Sequence, residues 1–152
     1  MMIGQFTDSV LGHLEVHRRG YVASIESLPL NLNMTAGMVA KVEDERLMDA
    51  VTAVSGSGPA YVFHFIECLT QAGNDAGLPD EVAAMLAMQT VMGAGALAAA
   101  SDETPGKLRE NVTSPNGTTQ AGLNVLMGGG ALQALVSAAV EAARKRSVEL
   151  SS

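Results

Sequence analysis

Apolar side chains recur at intervals of three and four residues along most of this chain, the spacing of helix faces rather than of strands. In "VEDERLMDAVTAV", Val42, Leu47, Met48, Val51 and Val54 fall at helical spacings, with acidic residues in the first turn. "SGSG" then interrupts the pattern. Ser57 offers an N-cap for a second helix, and Pro59 suits a first helical turn because its missing N–H would have no partner there. In that predicted helix His64, Glu67, Gln71 and Asp75 form a polar stripe, and Tyr61, Val62, Phe65, Ile66 and Leu69 face inward. Gly77 closes it and "LPDE" opens another, with acids at its N-terminal end.

The pattern changes at Val82–Ala100, which carries no charge. Thr104-Pro105 then repeats the cap-and-proline start before a short helix, "PGKLRENV". A polar turn, "TSPNGTT", leads into "QAGLNVLMG", and Gly128 to Gly130 break the chain again. The last helix places Leu132, Leu135, Val136, Ala139, Val140 and Ala143 on one face. The expected fold is therefore all-α, a bundle of about six helices, with no strand beyond residue 37. Residues 1–36 are of mixed character, broken by Gly4, Gly12, Gly20 and Pro29, and stay unassigned; residues 37–152 form the helical domain.

Composition sharpens this picture. The 152 residues are the size of one domain. They are 47% hydrophobic but only 3% aromatic, with no Trp and nine Met. Small and unbranched side chains at this density favour closely packed helices. The formal net charge is −7 and the pI near 4.8, so the broad basic face that nucleic-acid binding needs is missing. Arg144-Lys145-Arg146 falls where a terminal helix ends, and there cations complement its dipole. Cys68 is the only cysteine, which excludes an internal disulfide and a cysteine-based zinc site; a buried, inert thiol is expected. The first residues carry no secretory leader, so the expected location is cytoplasmic. Val82–Ala100 approaches the length of a membrane span, but it is mostly Ala, Gly and Met and has acidic flanks without Lys, Arg, Trp or Tyr anchors. It is expected to be a buried bundle helix, not a membrane segment.

Three stretches are candidates for chemistry. "VSGSGPAY" opens like a dinucleotide-binding loop, but the third glycine position is Tyr61, Pro59 intrudes and no second strand follows. It is expected to be a turn between helices. His13 and His17 are four residues apart, yet the H-E-x-x-H metal pattern is not met and two surface histidines are the simpler reading; no metal site is assigned. "ENVTSPNGTTQAG" is richer: Thr113, Ser114, Thr118 and Thr119 gather around Pro115-Asn116-Gly117 just before a helix. Free N–H groups at a helix N-terminus, joined by hydroxyls, suit a small anion such as a carboxylate. Asn116 and Gly117 tolerate the left-handed backbone that aims successive N–H groups at one point. An ordinary capped turn is the commoner use of such a sequence.

From about Gly37 to Leu150 the chain resembles the C-terminal helical domain of pyrroline-5-carboxylate reductases, through "LMDAVTAVSGSGPAYVF", "AGLPDEVA", "VTSPNGTTQAGLNVL" and "AAVEAARKRSVEL". Two positions depart from the family pattern: Asn116 replaces the usual Gly, and Met127 a usual polar residue. The resemblance implies a helical domain interleaved with a second copy as a homodimer or higher homo-oligomer. It implies NAD(P)H-dependent reduction of 1-pyrroline-5-carboxylate to L-proline. Ser114, Gly117 and Thr118 would hold the substrate carboxylate, and Thr119 would hydrogen-bond the ring nitrogen and help protonate it. Gly56, Ser57 and Pro59 would lie near the nicotinamide of NADPH or NADH, which in the family is carried by an N-terminal Rossmann domain. Residues before Gly37 are too few for that domain and do not resemble it, so the chain is expected to be inactive by itself. The alternative is a non-catalytic helical oligomerisation module.

Overall fold

The structure, a computed structural model, describes residues 44–151, and their order is helical throughout. His13, His17, Val42 and the unassigned segment 1–36 lie outside the described residues. The described residues divide into two compact units, one formed by residues 44–58 together with 139–151, the other by Pro59–Ala138.

In the first unit Asp44 caps a 3-10 turn, Glu45–Leu47, by accepting from the Arg46 N–H at 3.0 Å. The same carboxylate takes the Arg46 guanidinium at 2.8 Å. Helix α1, Met48–Val51, runs into a π-helical turn, Thr52–Gly56. The Ser57 N–H closes that turn on the Thr52 carbonyl at 2.9 Å, and Ser57 keeps right-handed helical angles. Ser57 therefore ends one helix rather than capping the next in an extended conformation, and Pro59 becomes the second residue of the following helix. The turn between helices expected here is thus a nearly continuous helical junction. Ala53 is the buried residue of this segment; Leu47 and Val54, expected on the inner face, are 51% and 59% exposed.

The terminal helix is tied to α1 by the Ser147 hydroxyl, which donates to Asp49 Oδ1 at 2.7 Å across 98 residues of chain. The basic cluster is paired along its own helix: Arg144 grips Glu141 at 2.8 and 2.9 Å, and Arg146 meets Glu149 at 2.8 Å. The Arg144 hydrogen bond holds the Glu141 carboxyl below its ordinary pKa. A lowered carboxylate pKa stabilises the fold above the unfolded value and loses that contribution as pH falls through the folded one. With both partners nearly half exposed, solvent screening keeps the effect small.

In the second unit α2, Gly58–Asp75, ends in a Schellman motif. Leu78 N–H bonds to the Gly73 carbonyl at 3.0 Å and Gly77 N–H to that of Asn74 at 2.9 Å. Gly77 has φ +99, where a side chain would cost about 1–2 kcal/mol. α3, Asp80–Ala100, then doubles back with Asp80 and Glu81 in its first turn. Gly73 lets the two helices meet: a Cβ there would stand 3.2 Å from that of Ala83 and 3.4 Å from Leu78 Cδ1. Ala83 and Ala87, one turn apart on α3, are each 2% exposed at this contact.

Helix α4, Pro105–Asn111, starts on Thr104, whose hydroxyl accepts from Lys107 N–H at 3.3 Å. α5, Thr118–Met127, is followed by Gly128–Gly130, where Gly129 (φ 59) and Gly130 (φ 71) turn left-handed, and by α6, Ala131–Leu150. The all-α class holds, and the described residues contain no strand. Where about six helices were expected, four reach ten residues or more (α2, α3, α5 and α6); α1 passes into a π turn after four residues and α4 stops after seven.

Burial departs most from expectation. Among the described residues the buried hydrophobics are three alanines, Ala53, Ala83 and Ala87. Val62 and Phe65 of the expected inner face of α2 are 44% and 47% exposed, although Tyr61, Ile66 and Leu69 are half-buried. α3, expected to be buried all round, is only 11% buried over its most apolar window. α3 and the run Thr118–Leu150 are both long and apolar enough to cross a membrane by length and composition alone. The physical reason for the difference is thickness. A helix apolar on all sides needs neighbours on all sides, and the described residues bury α3 only along its Ala83–Ala87 edge.

Candidate functional site

The "TSPNGTT" stretch folds into the junction between α4 and α5. The Thr113 hydroxyl donates to the Arg109 carbonyl at 2.6 Å and its N–H to that of Glu110 at 3.0 Å, so Thr113 finishes α4. Ser114 to Gly117 then make a β-turn closed by the Gly117 N–H on the Ser114 carbonyl at 3.0 Å. Pro115 fits the second position because its ring presets φ, and Asn116 takes the left-handed third position at φ 59. It is the described non-glycine residue with positive φ, which explains how Asn serves where a Gly is usual.

Gly117 is the N-cap of α5, at φ −84 and ψ 175, and provides no side-chain cap. A Cβ at this position would stand 3.1 Å from the Ser114 carbonyl oxygen and 3.4 Å from Ser114 Cβ, so glycine is required by close approach rather than by its angles. The first α5 hydrogen bond runs from Ala121 N–H to the Gly117 carbonyl at 3.2 Å. The N–H groups of Thr118, Thr119 and Gln120 precede it and have no protein acceptor among the described residues. A Ser, Thr, Asp or Asn at the cap would have occupied one of them. Three donors at the positive end of a ten-residue helix, flanked by the exposed hydroxyl-bearing residues Ser114, Thr118 and Thr119, form an open site for a small anion.

The structure therefore brings Ser114, Gly117, Thr118 and Thr119 together at one helix end. Gly117 supplies space there, since its own N–H is engaged by Ser114. Gly56, Ser57 and Pro59 form the separate helical junction before α2. Gln120 is the residue that sequence reasoning missed: its Oε1 accepts from the Asn116 N–H at 2.8 Å. Its signal was the Gln three positions after the cap, the spacing of a capping box.

The polar stripe of α2 forms as expected, with His64 Nδ1 2.9 Å from Glu67 Oε2 and Gln71 donating to Asp75 at 2.9 Å. Cys68 is corrected by it. Its Sγ lies 3.6 Å from His64 Nε2, and the thiol is exposed rather than buried, because position 68 follows His64 by one helical turn onto the polar side. Among the described residues no three His, Cys, Asp or Glu side chains are grouped to hold a metal ion.

These features define an all-helical domain with exposed apolar faces and, at the start of α5, a glycine-led helix end whose first N–H groups are unengaged among the described residues. Residues 45–150 match the family model for pyrroline-5-carboxylate reductase dimerisation, and the chain belongs to that family. It is 50% identical over 120 residues to a pyrroline-5-carboxylate reductase of Arabidopsis thaliana, covering 78% of this chain and 43% of that protein. With the Pseudomonas aeruginosa enzyme it shares 47% over 114 residues, 75% of this chain and 41% of the relative. Among solved structures, the Coxiella burnetii reductase superimposes with a TM-score of 0.70 at 41% identity, over 73% of this chain and 41% of that one. The Plasmodium falciparum reductase, solved with NADP bound, gives 0.67 at 40% identity over 72% and 43%. The chain thus spans about two fifths of the length of the relatives it matches.

Proposed function

We propose that this chain is the dimerisation and substrate-binding part of a pyrroline-5-carboxylate reductase, which reduces 1-pyrroline-5-carboxylate to L-proline with NADPH or NADH. The observation that carries this reading is the uncapped α5 N-terminus, where three unpaired N–H groups meet the Ser114, Thr118 and Thr119 hydroxyls in a family that acts on a small carboxylate. Ser114 and Thr118, with the N–H groups behind Gly117, hold the carboxylate by charge-assisted hydrogen bonds. That anchor fixes the ring, and Thr119 donates its hydroxyl proton toward the ring nitrogen as the imine carbon is reduced. A C=N bond held this way gains mainly from orientation.

The described residues hold no strand, hence no dinucleotide crossover, and do not by themselves fit a whole dinucleotide. In this reading Gly56, Ser57 and Pro59, small or rigid residues at the helical junction, lie near its nicotinamide, which supplies hydride when bound. A second copy of the chain covers the exposed apolar faces of α3, α5 and α6, giving a homodimer or higher homo-oligomer. The acidic start of α3 and its small-residue make-up support protein rather than lipid as that cover, and with it a cytoplasmic place.

Purified by itself, the 152-residue polypeptide is expected to bind L-proline weakly in a calorimetric titration and to oxidise no NADPH when given 1-pyrroline-5-carboxylate. Measurable NADPH oxidation would refute the second expectation. A flat proline titration would favour the non-catalytic oligomerisation module.

A further inference from the structure

We infer that Gln120 is a positioning residue for the substrate carboxylate, a role that rests on the reading of the α5 turn as the substrate site. In a capping box the third helical residue reaches back to the N–H of the cap itself. Here the Gly117 N–H is already engaged by the Ser114 carbonyl at 3.0 Å, and Gln120 Oε1 reaches one residue further, to the Asn116 N–H at 2.8 Å. Asn116 is the left-handed point of the turn, at φ 59, a conformation that Asn tolerates but that its sequence alone does not fix. Gln120 thus fastens the one residue of the turn that stands in the left-handed region, and with it the conformation of the turn. If Asn116 relaxed, the Ser114–Gly117 bond would open and the Ser114 hydroxyl would swing away from the helix end. Gln120 does this without occupying the Thr118, Thr119 or Gln120 N–H groups, because only its side chain is used and the cap carries none. A serine or aspartate at the cap would order the turn equally well but would fill the anion site. The pairing of a side-chain-free cap with a Gln clamp orders the turn and leaves its donors free.

Gln120→Leu keeps volume and helix propensity and removes the acceptor. Amide hydrogen exchange at Asn116 and the Kd for L-proline are measured on the full chain, for the wild type, Gln120→Leu and Gln120→Glu. The clamp predicts faster Asn116 exchange in Gln120→Leu, a proline Kd weaker by about three- to tenfold as befits one net hydrogen bond, and Asn116 protection kept in Gln120→Glu. Faster exchange with an unchanged proline Kd overturns the positioning role and leaves the substrate site standing. Unchanged exchange in Gln120→Leu, or lost protection in Gln120→Glu, overturns the clamp. A wild type that binds no proline at all sinks the substrate reading itself and the positioning role with it, which the exchange data distinguish from failure of the clamp alone.

Discussion

Leu135→Asp is expected to abolish the dimer and, with it, the folded state. Leu135 stands on α6 with 68% of its surface exposed in one copy, beside Leu132 at 40% and Val136 at 46%. α5 adds Val125 at 76%, and α3 adds Met92 at 57%. Apolar groups of this size left in water forfeit about 1.5–3 kcal/mol each relative to burial. A domain has only about 5–15 kcal/mol of net stability, and the buried hydrophobics among the described residues are three alanines, so a cover over these faces is expected to decide whether the helices stay folded. In the proposed reading a second copy covers this face, and a carboxylate at position 135 would then be buried without a partner. Burying an unpaired carboxylate among apolar side chains costs several kcal/mol. Light scattering should show the wild type at twice its chain mass and Leu135→Asp as monomer or aggregate, with helical circular dichroism falling in parallel. A folded monomeric Leu135→Asp would show that one copy suffices. A wild type that enters detergent micelles rather than pairing would transfer these faces to a membrane.

Gly117→Ala is expected to weaken L-proline binding at least tenfold while leaving the oligomer and its helix content unchanged. The added Cβ stands 3.1 Å from the Ser114 carbonyl oxygen, closer than side chains settle without movement, and the nearest atoms are backbone and Cβ with no flexible end to give way. The Ser114 carbonyl must give by a few tenths of an ångström, which lengthens the Gly117–Ser114 hydrogen bond and moves the Ser114 hydroxyl relative to the α5 donors. The helical angles of α5 are untouched, because Gly117 at φ −84 and ψ 175 lies in a region open to alanine. Calorimetry on the intact oligomer reads the effect. Wild-type affinity in Gly117→Ala would mean that the carboxylate does not depend on this corner.

The all-helical class and the glycine-and-proline punctuation were legible in the sequence because they depend on neighbours. Gly77 closes α2, Thr104 and Pro105 open α4, and Ser114 to Thr119 make a turn at a helix start, each from local chemistry. What is not legible depends on distance or on a second chain. Val62, Phe65 and the whole of α3 read as core by period, yet period cannot say whether the cover lies in the same copy. Cys68 reads as buried by hydrophobicity, but its helical phase follows His64 onto the polar stripe. The steric need for glycine at 117 arises from a carbonyl three residues back, and the Gln120 clamp from a hydrogen bond displaced by one residue from the usual capping box. Ser57 keeps helical angles because a π turn carries the chain through the junction, which no composition signal marks.

The most direct measurement is an amide-resolved NMR titration of the intact chain with L-proline. Saturable shifts centred on the N–H signals of Thr118, Thr119 and Gln120, with Ser114 following, are expected, because in the proposed reading those groups donate to the carboxylate. Shifts that never saturate, or that gather elsewhere while the α5 N-terminus stays silent, would contradict the assignment of this turn as the substrate site.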